Sequence, residues 1–395
     1  MNGMQQPATG APRPRGLELS LLRRFPDVEA DNLHAHDATD ELILDRAGAE
    51  LAALAAGGQG GGALAVVGDR YGALALGAAG GHGLERIRVH QDPLSGELAL
   101  AANAARLGLA GSFESLPLSA KLFAGATVVL WQLPRSLDEV DEVAALIAAN
   151  AEPGVRIYAG GRQKHLAVAM NGVLGRYFGN VLPGRAWHKS RVLEVDSPRD
   201  QLPARSFPRK DWNADAGLWL CAHGATFAGT KLDIGTRFLL DFVPLMRPGA
   251  ARAIDLGCGN GTIAAFLAAS RPELRVLATD QSAAAVASSA ATAEANGLDG
   301  RVTVVRDDAM AGFPANSADL VVLNPPFHVG ATVHAGIALK LFDAAARVLA
   351  PGGELWTVYN RHLDYRGQLQ ERVGPTEIKG RNPKFTVAVS VKPAC

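Results

Sequence analysis

Cysteine is scarce in this chain of 395 residues: Cys221, Cys258 and Cys395 are the only three. Their spacing matches neither a metal site nor a disulfide framework, which fits a reducing compartment and excludes a stapled secreted scaffold. Net charge is missing too, with 39 basic against 39 acidic side chains. No overall basic field draws a polyanion, so any nucleic-acid contact must come from local clustering. No apolar run reaches the roughly 18 residues that a membrane span needs. The first stretch, MNGMQQPATGAPRPRG, has no apolar core after its charges to mark a signal peptide. These absences lead to the expectation of a soluble cytoplasmic protein with a short disordered leader at 1–16, no membrane contact and no metal. With 48% hydrophobic residues and more length than one average domain, two globular domains are expected.

What is present is concentrated in ARAIDLGCGNGTIAAFLAAS. There an apolar run ends in Asp255 and passes through Gly257, Cys258, Gly259, Asn260 and Gly261 into an alanine-rich helical stretch. Strand, glycine turn and helix place backbone against a ligand where a Cβ would occupy its space. The spacing is G-x-G-x-G with Thr262 sixth, whereas the dinucleotide fingerprint is G-x-G-x-x-G, so nicotinamide binding is disfavoured. Twenty-five residues after Asp255, LRVLATD puts Asp280 at a strand end, where a carboxylate can accept both hydroxyls of a ribose. RVTVVRDDA then ends a third strand with Asp307 and Asp308, within reach of an adenine edge.

In this order the residues resemble the methyltransferases that use S-adenosyl-L-methionine (AdoMet). The resemblance implies that Asp255 helps hold the methionine amino group, Asp280 the ribose and Asp308 the adenine amine. VVLNPPFH, 321–328, follows where a fourth strand ends beside such a cofactor. Pro325 and Pro326 have fixed φ and no N–H, so this loop presents acceptors and few donors. The Asn324 side-chain carbonyl and the Pro325 backbone carbonyl suit the two hydrogens of an exocyclic amine. Phe327 suits stacking on its base. Asn324, Pro325, Pro326 and Phe327 are therefore the expected catalytic set, working by positioning without a strong general base. N-P-P-F fits adenine, guanine and glutamine amines alike.

The first half echoes the second. ALAVVGDRYGALALGAAG lies on RAIDLGCGNGTIAAFLAA with Gly68 over Gly257 and Gly72 over Gly261, and ATVVLWQLPRS lies on ADLVVLNPPFH. Gly72 to Val129 spans 57 positions and Gly261 to Val322 spans 61, as two copies of one α/β unit would. In the first copy Val66 replaces the carboxylate, Asp69 and Arg70 intrude on the turn, and Leu133-Pro134 lacks the asparagine. That copy is expected to bind no cofactor.

A degenerate copy before a complete one resembles the bacterial ribosomal RNA guanine-N2 methyltransferases. LLRRFPD, FAGTKLDIGTRFLL, DLGCGNG, AVASS, NPPFH and NRHLDY are similar to the large-subunit methyltransferase G family. The resemblance implies AdoMet as cofactor, N2 of a guanine in 23S rRNA as target, and Asp233 and Gly235 as secondary cofactor contacts. The expected fold class is α/β: two tandem Rossmann-like domains, each a mostly parallel seven-stranded sheet. Expected boundaries are 17–195 for the degenerate domain, 196–215 for a linker and 216–395 for the catalytic domain. The alternatives are a 16S guanine-N2, adenine-N6 or protein-glutamine methyltransferase sharing N-P-P-F, and a noncatalytic RNA-binding pseudoenzyme.

SLDEVDEVAALIAAN has Leu137, Val140, Ala144 and Ile147 at helical spacing, with acids opposite, and reads as a surface helix. Between 185 and 210, Arg185, Lys189, Arg191, Arg199, Arg205, Arg209 and Lys210 face only Glu194, Asp196 and Asp200, with Trp187, Phe207 and Trp212 among or beside them. Such a segment suits RNA phosphates and stacked bases.

Overall fold

The computed structural model describes residues 17–58, 60–204, 206–326 and 331–394. The expected leader, Arg205 and Phe327 lie outside the described residues.

The first half is a repeat of short strands and helices. It runs α1 (Ala38–Ala56), β1 (Leu64–Val67), α2 (Ala73–His82), β2 (Ile87–His90), α3 (Leu94–Arg106), β3 (Phe113–Ser115) and α4 (Ala120–Phe123). It continues with β4 (Val128–Gln132), α5 (Leu137–Asn150), β5 (Arg156–Arg162), α6 (Val168–Leu174), β6 (Phe178–Pro183) and β7 (Ser190–Pro198). A hairpin of β8 (Arg209–Asn213) and β9 (Leu218–Ala222) follows, then α7 (Ile234–Leu240). The second half holds β10 (Arg252–Leu256), α8 (Thr262–Ser270), β11 (Arg275–Asp280), α9 (Ala283–Ala295), β12 (Val302–Arg306) and β13 (Ala318–Leu323). It ends with α10 (Ala331–Val348), β14 (Leu349–Asn360), α11 (Arg366–Arg372), β15 (Thr376–Arg381) and β16 (Phe385–Val391).

The sheets have one topology used twice. The strand orders are β3-β2-β1-β4-β5-β7-β6 and β12-β11-β10-β13-β14-β16-β15, in each case five parallel strands followed by an antiparallel pair. Central strands such as LAVV, VVLWQ and ADLVVL are almost entirely apolar because both faces are covered by helices. Each sheet accordingly has a buried cluster on both faces, around Leu64 and Leu74 or Trp131 and Phe123 in the first half, and Val322 and Trp356 or Phe342 and Leu355 in the second. The α/β class and the duplication are as the sequence implies. Among the described residues no helix is long and apolar enough to cross a membrane.

Within the expected linker, 196–215, β7 continues to Pro198 and β8 begins at Arg209. The hairpin is docked on α9: Cys221 N donates to Thr292 Oγ1 at 2.9 Å and Trp219 N to Asn296 Oδ1 at 3.0 Å. The expectation of α5 as a surface helix needs correction, because its acidic side is not a solvated face. Asp141 and Glu142 are buried; Asp141 accepts from Tyr177 Oη at 2.6 Å, and Glu142 meets His223 Nδ1 at 2.6 Å and Gly224 N at 2.7 Å. Glu142 thus faces the other half of the molecule, while Asp141 is held within the first half by Tyr177 and Arg176, so this side of the helix is buried rather than solvated. Gly224 is required there, since a Cβ would lie 2.3 Å from the Asp138 carbonyl oxygen.

The halves also meet through equivalent loops. Leu94 N donates to Gln281 O at 2.9 Å and Ala283 N to Asp92 O at 3.0 Å, with Pro93 and Ser282 opposed as an antiparallel bridge. Leu94 opens α3 and Ala283 opens α9, the corresponding helices, so this pair of bonds is reciprocal about a local pseudo-twofold axis.

Candidate active site

β10 and β13 lie side by side in register, Leu256 opposite Leu323. The turn that begins at Gly257 and the loop that begins at Asn324 therefore leave neighbouring strand ends, on the carboxyl edge where open α/β sheets bind ligands.

The glycine turn is made of left-handed residues. Gly257, Gly259 and Gly261 have φ of 77°, 53° and 77°, a region that side chains resist. A Cβ on Gly257 or Gly259 would meet nothing within 4 Å, so an open cradle faces these two; on Gly261 it would sit 2.8 Å from Ser289 Cα on α9. The first two glycines shape space for a ligand, and the third lets two helices approach.

Around this cradle the carboxylates are unequally engaged. Asp255 is wholly buried; Oδ2 accepts from Ala264 N at 2.9 Å, and Oδ1 has no partner among the described residues. Burial raises its pKa to about 7, opposed by the Ala264 amide and assisted by the nearby Asp280 charge. An orphaned acidic oxygen at the floor of the cradle fits a cofactor ammonium group. Asp280 at the end of β11 accepts from Gly259 N at 3.1 Å and Ser282 N at 2.9 Å. Desolvation raises its pKa despite these bonds. Each of its oxygens keeps a lone pair for a hydroxyl.

Asp308 has one oxygen, Oδ2, held by Lys340 Nζ of α10 at 2.6 Å, and Asp307 accepts from Gly312 N at 3.0 Å while its Oδ1 is buried without a partner among the described residues. Asn260 is fixed by its neighbours. Its amide is used internally, donating to Gly229 O at 2.9 Å and accepting from Thr262 Oγ1 at 2.6 Å, so it pins the turn to the loop before α7. Cys258 is a buried thiol whose pKa burial pushes well up, which leaves it packed and unreactive.

Asn324 is the centre of the second half of the site. Its Nδ2 donates to Asp233 Oδ2 at 3.0 Å and to Thr236 Oγ1 at 2.9 Å. A carboxylate only accepts, so the amide nitrogen must face Asp233 and the oxygen must face the other way. That Oδ1 is buried with no partner among the described residues. Asp233 also caps α7 by accepting from Thr236 N at 2.9 Å. Asp233, the expected secondary cofactor contact, also anchors Asn324 through Oδ2. Gly235 packs inside α7, where a Cβ would lie 3.2 Å from Phe385 Cε1. Pro325 is buried and Pro326 exposed. Thr236 was not singled out by sequence reasoning; only the proximity of residues 88 apart reveals it.

The first repeat has the same scaffold with the cradle closed. A Cβ on Gly68 would lie 3.0 Å from the Gln132 carbonyl oxygen, where its counterpart Gly257 faces open space. Asp69 turns into the N-terminus of α2, accepting from Leu74 N at 2.6 Å and Ala75 N at 2.9 Å. A cavity of about 320 Å³ persists beside Gly68 and Trp131, roofed by Ala283, Ala284 and Ala287 of α9.

The basic segment is partly spent within the protein. Arg209 pairs with Asp138 at 2.9 Å, and Arg199 Nε donates to Gly175 O at 3.0 Å. Arg185, Lys189 and Lys210 are exposed. On the hairpin, Trp212 and Trp219 meet edge to face at 5.5 Å, with Lys210 Nζ 4.9 Å from the Trp219 ring centre.

Comparison with known proteins agrees with this division. The chain matches the family model of the RLMG N-terminal domain over residues 15–199 and that of the methyltransferase small domain over 217–389. It is 33% identical to the ribosomal RNA large subunit methyltransferase G of Streptomyces coelicolor, over 94% of this chain and 98% of that protein. The protein of the same name from Pseudomonas paraeruginosa is 34% identical, over 94% and 96%. Among solved structures, the T. thermophilus 16S rRNA N2 G1207 methyltransferase in complex with AdoMet and guanosine aligns with a TM-score of 0.66. The alignment covers 84% of this chain and 88% of that one at 23% identity, a likeness of fold.

Proposed function

The chain belongs to the ribosomal RNA large subunit methyltransferase G family, and from that premise we propose that it methylates the exocyclic N2 of a guanine in 23S rRNA using AdoMet. The observation that carries this reading is the orphaned Asn324 Oδ1 at the end of β13, next to the open cradle of Gly257 and Gly259.

AdoMet, when bound, supplies an electrophilic methyl group on a positively charged sulfur. The Gly257–Gly261 turn would hold it, with Asp255 for its ammonium group, Asp280 for the ribose hydroxyls, and the open oxygen of Asp308 for the adenine amine. Asn324 Oδ1 and the Pro325 carbonyl accept the two N2 hydrogens of guanine and turn the nitrogen lone pair toward the methyl group. A strong base is unnecessary, because the nitrogen sheds its proton after attack, so these residues act by orientation. Phe327 is assigned to stacking on the base from the sequence alone. The exposed Trp212–Trp219 pair with Lys210 suits single-stranded RNA, by base stacking beside a phosphate contact.

The test is incubation of the full-length protein with labelled AdoMet and, separately, 23S rRNA, 16S rRNA and both ribosomal subunits from a strain lacking the gene, followed by nucleoside identification. N2-methylguanosine in 23S rRNA is expected. Label confined to 16S rRNA, or recovered as N6-methyladenosine, would overturn the substrate assignment.

A further inference from the structure

Where the two repeats meet, their backbones are reciprocal and their side chains are not. Asp92, in the loop after β2, sends Oδ1 across to α9, accepting from Ala284 N at 2.8 Å and from Ser282 Oγ at 3.0 Å. Ser282 is the helix's own cap and accepts from Ala285 N at 3.1 Å. A carboxylate of the first repeat therefore completes the N-terminal cap of a helix in the second, where it also meets the positive end of the helix dipole.

Arg306, the last residue of β12, reaches the opposite way. Its guanidinium donates to Glu97 Oε2 at 2.7 Å, Asp92 O at 3.0 Å, Gln91 O at 3.1 Å and Gln281 O at 3.2 Å. A planar fork engaged through all three of its nitrogens fixes the position of its strand end better than one ion pair would. The side chain is 25% exposed, so solvent screens it only in part.

These contacts hold the two segments that carry the cofactor carboxylates. Asp280 stands two residues before Ser282 and accepts from its backbone N–H at 2.9 Å. Asp307 and Asp308 follow Arg306 directly, and Asp307 N donates to Asp280 O at 3.0 Å. One loop of the degenerate repeat thus touches the ends of both β11 and β12. We propose that Asp92, together with Arg306, is a positioning residue for the AdoMet site, through which the degenerate repeat sets Asp280 and Asp308 for the nucleoside half of the cofactor. The inference rests on the reading of those two carboxylates as the nucleoside ligands.

Titration calorimetry with AdoMet and steady-state kinetics on 23S rRNA, both with full-length protein, test it. Asp92→Ala is expected to weaken AdoMet binding about fivefold, the factor a lost helix cap is worth when felt at the turn it supports. The loss should fall on the KM for AdoMet rather than on kcat or the KM for rRNA. Asp92→Asn keeps an acceptor oxygen and should restore the affinity to within about twofold. Arg306→Gln, an independent arm if Asp92→Ala folds poorly, should also weaken AdoMet binding. Ser136→Ala removes another bond between the halves, Ser136 Oγ to Gly224 O at 2.9 Å, together with a helix cap, and should leave AdoMet affinity unchanged. Wild-type affinity in Asp92→Ala or Arg306→Gln, or an equal loss in Ser136→Ala, would overturn the proposal. Failure of the wild-type protein itself to bind AdoMet would instead overturn the cofactor reading beneath it.

Discussion

Both hydrogens of the Asn324 amide are taken by Asp233 and Thr236, and its oxygen is buried without a partner among the described residues. An unpaired buried acceptor costs free energy that a bound amine recovers. Asn324→Ala should therefore lower turnover by at least about 10²-fold, as loss of a preorganised polar group at a reacting centre does, and leave AdoMet affinity unchanged. Thr236→Val keeps the shape and removes one anchor, so a smaller fall in kcat, of about tenfold, is expected as the amide loosens. Single-turnover kinetics beside calorimetry would check both, and near-normal rates in Asn324→Ala would sink the mechanism. The N-P-P-F spelling made Asn324 and its neighbours legible in the sequence. The anchors were not legible as such, because Asp233 reads equally well as a helix cap, and its distance of 91 residues from Asn324 says nothing of contact.

The strand–turn–helix element occurs twice with opposite outcomes. In the second copy the carboxylate, Asp255, is on the strand, and the glycine turn stays open. In the first it has moved into the turn as Asp69, fully buried against the amides that open α2. Burial raises the Asp69 pKa to about 8, against the lowering effect of the Leu74 and Ala75 amides. The folded state thus prefers the neutral acid, while an unfolded chain ionises near the ordinary carboxylate value of about 3.9. Its stabilising contribution is fully present at low pH and is lost as pH rises from about 4 through about 8. Asp69→Asn removes that dependence, so its melting temperature relative to wild type should rise between pH 5 and pH 8. Parallel curves for the two proteins would show that Asp69 does not titrate there. The glycine spacing revealed this element in the second copy directly and in the first only by alignment, since one shifted aspartate changes a cradle into a cap.

At the scale of the whole molecule, charge that is plentiful in a row is not charge that is free. Of the basic run, Arg209 is neutralised by Asp138 on α5, whereas Lys210, Trp212 and Trp219 remain outside on the hairpin, the two indoles 54% and 40% exposed. Trp212→Ala should weaken 23S rRNA binding about tenfold, from lost stacking, and Lys210→Glu should flatten the salt dependence of binding. Neither should alter AdoMet affinity. Filter binding across a potassium chloride series would measure this, and unchanged affinity and slope would remove the hairpin from the RNA surface. The sequence by itself determined the α/β class, the duplication and the position of the glycine turn, because strand periodicity, glycine spacing and proline are local constraints that act within a few residues. Only the tertiary structure decided that Glu142 of α5 meets His223 and Gly224 of the other half, that Asp233 and Thr236 orient Asn324, and that Asp92 caps α9. Those roles depend on which groups burial leaves without water, and that is settled by packing between segments distant in the chain.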